Sequence, residues 1–366
     1  RGWIMGYNRI ATPRAYIDLI SYNLAHGWSA ASNITMLQDD GSTAVTLNAG
    51  TKESMFDLRP ANFAQIDDAT QAFYIQYDTE FATDTLAESN FIAILGHNFK
   101  EAGVHFRLQH DDSALTGNPA AFPSPQAGVA DSDITRTGNH EKVINAAASG
   151  TANWIEPGNN GWTLITWDNN NTDNRYYGLY LAKDPSSFST SFDTDLKIGA
   201  ILCGEYIDFP SSPDLSIQTS VNYDNTKLQS SIGGNTYANT AAFGQPMWST
   251  TYPWTLSSSD VSTYTFEQRY GRINHAMNFS YIADTNLFAE NMHSSTSSEW
   301  FDSDTIHAMF YNKILGQHNP FLFTVDGSVT EQEGDYGLFR LADSGLNATQ
   351  VAHRTWSMGL NLVETW

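Results

Sequence analysis

Residues Phe91–His110 read FIAILGHNFKEAGVHFRLQH, and this stretch decides the fold class. Phe91, Ile92, Ala93, Ile94 and Leu95 form an apolar run of strand length, stopped by a Gly-His-Asn turn. In the run that follows, Val104, Phe106 and Leu108 alternate with His105, Arg107 and Gln109. A continuous apolar run is the signature of a strand covered on both faces, and strict alternation that of a strand half exposed. Two strands of a β-sandwich account for both.

Composition extends this to the whole chain. The 366 residues hold 20 Phe, 17 Tyr and 10 Trp, while charged residues make up only 16%. Ser, Thr and Asn are abundant and long Ala/Leu/Glu/Lys runs are missing, a mix that favours strands and polar loops over helices. Forty acidic residues against 18 basic give a formal charge of −22, which repels phosphate backbones and anionic lipid and so speaks against nucleic-acid and membrane partners. The single cysteine, Cys203, lies in the apolar stretch Ile198–Gly204 and reads as a small core residue. A fold without disulfides suits assembly in a reducing cytoplasm. Neither a signal peptide nor a run near the ~20 apolar residues of a membrane helix is visible.

Along the chain, residues 1–60 are short apolar pieces that read as N-terminal strands or an arm. Residues 61–212 carry the sandwich, with a long loop-like stretch at 111–161. Within it, Trp162–Trp167 and Tyr176–Leu181 read as a hairpin joined by Asp168–Asn174. Pro210 and Pro213 mark a soft boundary before a second β-rich domain at 213–366. That domain has one short helix at about Asp302–Leu315, capped by Asp302 or Ser303 and ended by Gly316. It closes on Arg354–Glu364, where Trp356, Met358, Leu360 and Leu362 alternate with polar and small residues. The same alternation at Met277–Tyr281 predicts that this last strand is an inner one paired with Ile273–Ile282.

Candidate chemistry is sparse. His97, His105, His110 and His140 lie near Asp111, Asp112 and Glu141, but without the paired spacing of zinc ligands. Asp168, Asn170, Thr172 and Asn174 follow the alternate oxygen spacing of calcium loops, although Asp173 stands where such a loop needs Gly. They make Ca²⁺ the one candidate cofactor, against a plain Asn-rich turn. Trp154 and Trp162 with His97 are candidates for stacking on a sugar, against the commoner role of tryptophan as a core plug. No serine nucleophile elbow, Walker A or dinucleotide glycine pattern occurs, so no catalytic residues are assigned.

Three pieces carry a family resemblance. FIAILGHNF followed by VHFRLQ resembles the "alligHNl … vrvrl" pattern of galactose-binding-like (discoidin-type) sandwich modules in structural proteins of tailed phages. LKIGAILCGEYIDFP, residues 196–210, is similar to their "ieIGrlflGe…f.P" segment. Arg354–Glu364 resembles the R-x-W-x-[apolar]-x-L-x-L-x-E strand on which such chains close. The pieces cover about residues 70–210 and 350–366, while 111–161 and 215–300 depart from the pattern. The resemblance implies a mainly β chain: an antiparallel galactose-binding-like jelly roll followed by a second β-rich domain. It also implies a non-enzymatic virion component assembled in the host cytoplasm, a ring-forming tail or tail-tip protein whose partners are copies of itself and other virion proteins. The alternatives are a carbohydrate-binding adhesin or capsid decoration protein that presents His97, Trp154 and Trp162 to a host surface glycan, and a secreted polysaccharide-acting enzyme.

Overall fold

The computed structural model describes residues 11–60, 62–81, 89–111, 114, 140–144, 146–148, 154–158, 160–167, 175–222, 227–239, 272–289, 304–327 and 336–365. These residues build a mainly β, antiparallel protein with few and short helices. The first half holds β1 (Arg14–Asp18), α1 (Leu19–Ala25), β2 (Ile34–Gln38), β3 (Leu47–Ala49), β4 (Ala64–Ile66), β5 (Phe73–Asp78), β6 (Phe91–His97) and α2 (Phe99–Ala102). It continues with β7 (His105–Asp111), β8 (His140–Ile144), β9 (Ala146–Ala148), β10 (Ile155–Pro157), β11 (Gly161–Trp167), β12 (Tyr176–Ala182), β13 (Leu196–Ile198) and β14 (Ala200–Asp208). The second half holds β15 (Gln218–Asn222), β16 (Lys227–Ser230), β17 (Thr236–Asn239), β18 (Arg272–Ala283), α3 (Asp284–Leu287), a π-type helix (Ile306–Asn312), β19 (Phe321–Thr324), β20 (Tyr336–Leu341), β21 (Ala348–Ala352) and β22 (Thr355–Glu364).

The main sheet runs β15-β18-β22-β20-β19-β1-β14-β6-β11-β8, with β21 also paired to β22. A second sheet, β2-β5-β12-β7-β10-β9, faces part of it. Strand β6, buried on both faces, sits inside the main sheet, while half-exposed β7 lies in the second. Ile92, Ile94, Ile165, Ile201 and Cys203 of the main sheet pack on Phe73, Ile75, Phe106, Leu108, Leu179 and Leu181 of the second. This is the sandwich core. The turn between β6 and β7 is therefore a corner between sheets, formed by α2 and closed by Gly103 at φ +68°.

The opposite face of the main sheet is covered by the sheet itself. Trp162 of β11 and Tyr336 of β20 stand five strand-to-strand steps apart, about 24 Å across a flat sheet. Their ring centroids are 5.5 Å apart, so the sheet curls round a core of Tyr16, Phe91, Leu95, Trp162, Leu322 and Leu338. Such closure follows from the right-handed twist of its strands. In the second half, Phe209, Met277, Phe279, Phe323, Met358 and Leu360 pack beneath Ile306, Phe310 and Ile314 of the π-type helix and the turn after it.

Several structural features differ from what the sequence suggests. One sheet crosses the 210–215 boundary, and β1 is a central strand of it, between β14 and β19, rather than part of an arm. Strands β11 and β12 are not a hairpin: β11 pairs with β6 and β8, β12 with β5 and β7. Local alternation marks both as strands but says nothing of which sheet each joins. The loop-like stretch 111–161 contains β8 and β9, whose His/Glu/Lys and Ala residues carry no alternation, and β10, which has only three residues. The helix begins at Thr305, whose hydroxyl accepts the Ala308 N–H. Its π-type winding replaces the expected 3.6 period, and it ends at Asn312, earlier than expected, with Gly316 at φ +64° in the turn that follows. Strand β22 pairs with β18 over Asn274–Ala283, and on its other side with β20 and β21, so it is an inner strand.

Two of the glycines inside the quoted motifs, Gly96 and Gly199, share one structural cause. A Cβ on Gly96, at φ +70°, would stand 2.5 Å from the Pro60 carbonyl oxygen, and one on Gly199 2.2 Å from the same atom. Only hydrogen at both positions lets the Pro60 backbone cross the ends of β6 and β14.

Candidate functional site

The residues singled out for sugar binding are core residues. His97, at the end of β6, is buried, stacks on Phe99 with centroids 4.3 Å apart, and accepts the Phe99 N–H at Nδ1. Its Nε2 lies 3.0 Å from Thr163 Oγ1. Trp162 is buried in the curl of the main sheet. Trp154 is buried in a separate cluster with Tyr180 and Phe188. The structure thus places the three in different packing environments, none of them open to a sugar ring. The tryptophans are core plugs, the commoner of their two sequence readings.

Burial also fixes protonation. It pushes the His97 imidazole down to about 3 and that of His275 down to about 4. An unfolded histidine takes up its proton near pH 6.5, so between there and the folded values the unfolded state binds more protons and stability falls as pH drops. Asp18 has the opposite sign: burial raises its carboxyl to about 6, so its protonation favours the folded state below that pH. Asp18 caps α1 through the Ser21 N–H and also accepts the Cys203 N–H at 2.9 Å. We predict that His97 alone costs about 2 kcal/mol between pH 7 and pH 5. A His97→Asn variant should therefore show a shallower acid loss than wild type in urea titrations at the two pH values. Parallel curves would mean that His97 is not held neutral.

Metal-binding geometry is limited. Asp168, Asn170, Thr172 and Asn174 lie outside the described residues. His97 and His105 stand in different sheets, and His105 Nδ1 is 2.8 Å from the Lys183 carbonyl oxygen. Among the described residues, the one group able to converge on an ion is Asp67, Asp68 and Asp195, with carboxylate oxygens within 4.8 Å of one another. Asp195 accepts hydrogen bonds from Asn48, the Asp68 N–H and Gln65, which hold its carboxyl below the ordinary value. These donors keep Asp195 ionised and tie the β4–β5 turn to β13. A cleft of about 490 Å³ beside β2 is lined by Ile34, Met36, Val45 and Leu47 together with Lys52 and Glu53. Lys52 Nζ donates to the Ile34 carbonyl at 2.6 Å.

The unusual surface lies elsewhere. Strands β15, β18, β22 and β21 form a panel at one end of the main sheet, with Met277, Phe279, Met358, Leu360 and Leu362 on its buried side. All five residues of β15 are exposed, as are four of the five in β21. Beyond β15 the β16–β17 hairpin forms a two-stranded sheet of its own. Among the described residues eight large hydrophobics are exposed, four of them on or beside this panel and three on the hairpin. Leu215, Val221, Leu228, Ile232 and Tyr237 belong to β15, the hairpin and their flanks, and Tyr281 and Val351 to β18 and β21. Tyr281 sits at a bulge in the β18–β22 ladder with φ +69° and is 79% exposed. A bulky side chain held outward at positive φ is strained. Exposed apolar residues grouped on one end of a sheet mark an interaction surface. Sequence alternation alone finds β18 and β22 but not β15 or β21, because a strand exposed on both faces has no apolar period.

No family model, no curated protein and no solved structure matches this chain. Among the described residues no helix is long and apolar enough to cross a membrane.

Proposed function

We propose that this chain is a non-enzymatic structural component of a phage virion, a ring-forming tail or tail-tip protein built on a galactose-binding-like sandwich. The observation that carries the self-assembling role is the concentration of exposed apolar side chains on the β15–β18–β22–β21 panel and its hairpin. The motif resemblance at residues 91–109, 196–210 and 354–364 supports the virion setting. Its partners are copies of itself and other virion proteins, and the charge of −22 disfavours nucleic acid and anionic membranes.

Two measurements test this. Mass spectrometry of purified particles from the parent phage should find the chain, and light scattering of the purified protein should give a mass of several chains. Absence from particles overturns the virion role. A single-chain mass at every concentration overturns self-assembly.

A further inference from the structure

We infer that copies of this chain join head to tail by edge-strand addition, the β15 edge of one copy pairing with the β21 edge of the next. This contact rests on the self-assembly proposed above, and names its surface and geometry.

The free edges of the two large sheets are not alike. The strand at the far end of the main sheet, β8, has the sequence HEKVI, with an acidic and a basic residue among its five. In the second sheet, the β2 edge is closed by the Leu37–Ala44 bridge and by Lys52 on the Ile34 carbonyl. Strands β15 (QTSVN) and β21 (ATQVA) have neither the charge nor the closing contacts. Each has five residues without charge or proline, and among the described residues each pairs on one side only. The β15–β18 ladder is regular over all five pairs. Strand β21 has a bulge between Gln350 and Ala352, which leaves Ala348–Gln350 as the regular part of its edge. An unguarded edge of this kind offers its backbone N–H and C=O groups to another strand.

Charge identifies the occupant as a second copy. Residues 215–239 contain one acidic and one basic residue, Asp224 and Lys227, and residues 348–352 contain no charge. The whole chain carries −22. Two such chains repel over most of their surfaces, and the panel is where they can approach without burying like charges. Because the repulsion that remains is screened by salt, association should strengthen as ionic strength rises. The two edges lie on opposite sides of one panel and differ in sequence, so pairing one with the other is a heterologous contact, which closes into a ring or extends as a filament. Pairing β15 with β15 would instead give a two-fold dimer and leave β21, Val351 and Tyr281 uncovered.

A mixing experiment with the full chain tests this. One variant carries Ser220→Lys with Val221→Lys, the other Thr349→Lys with Val351→Lys. All four positions are exposed, so melting temperatures should match wild type. Should either pair lower the melting temperature, Gln218→Glu and Gln350→Glu carry the same test with one charge each. By light scattering, wild type should have the mass of several chains and each variant alone that of one chain. A one-to-one mixture should form two-chain species and nothing larger, because only one intact β15 and one intact β21 can meet. A β21 variant that assembles like wild type, or a mixture that stays at one chain, overturns head-to-tail pairing. Full assembly by both variants removes this surface while leaving self-assembly intact, whereas a single-chain wild type removes self-assembly itself.

Discussion

Replacing Lys313 by alanine should cost the folded protein about 3–5 kcal/mol, the loss expected when one member of a buried ion pair is removed. The Lys313 side chain is fully buried, the Glu205 side chain is 4% exposed, and the ammonium donates directly to Glu205 Oε2. Lys313 follows the π-type helix, while Glu205 lies on β14 between Cys203 of the sandwich core and Ile207 of the second-half core. The pair therefore pins the second-half helix to the middle of the main sheet, where the two cores meet. Alanine leaves an uncompensated carboxylate there. Exchanging both partners at once, as Lys313→Met with Glu205→Leu, should recover most of the loss, since a packed apolar pair replaces a buried ionic one at little cost. Urea unfolding of the three proteins reads this directly. A Lys313→Ala protein within about 1 kcal/mol of wild type would mean that water reaches the pair.

Deleting residues 354–366 should abolish soluble expression. Met358, Leu360 and Leu362 of β22 are each at most 2% exposed. Burial of a large apolar side chain contributes about 1.5–3 kcal/mol, so these three rival the ~5–15 kcal/mol net stability of a whole domain. The ladder adds to this, because β18 loses its partner over Asn274–Ala283 and β20 and β21 lose theirs. Glu364, itself buried, also accepts the Ile273 N–H at 2.8 Å. A soluble truncated chain with an unchanged melting temperature would show that β22 is dispensable.

How much was legible in the sequence depended on whether a feature is local. The apolar run Phe91–Leu95 marks a strand covered on both faces, because its composition reports burial directly. The matched alternation of Met277–Tyr281 and Trp356–Leu362 identifies two strands with one face in the same core, and they do pair. Pairing across the sandwich is not local. Neither the placement of β11 and β12 in separate sheets nor the central position of β1 has a signature within its own residues. At the candidate site the difficulty is reversed. Trp154, Trp162 and His97 attract notice by residue type, yet they are inside. The exposed panel edges are short runs of Gln, Thr, Ser, Asn and Val that read as loop until the neighbouring strands are in place.

The position of β1 also bears on the order in which this protein can be made. Tyr16 pairs with Leu322 of β19, roughly 300 residues later in the chain, so one side of β1 has no partner until translation is nearly finished. At synthesis rates of about 5–20 residues per second, that wait lasts roughly 15–60 s. Through that time Ala15, Tyr16 and Ile17, all buried in the finished molecule, have only β14 to cover them, and before β14 emerges they have nothing. Closure between such distant segments is slow in any case. The ribosome thus releases a chain whose two halves become one sheet only at the end, and chaperones that shield apolar segments have their longest task at its first strand.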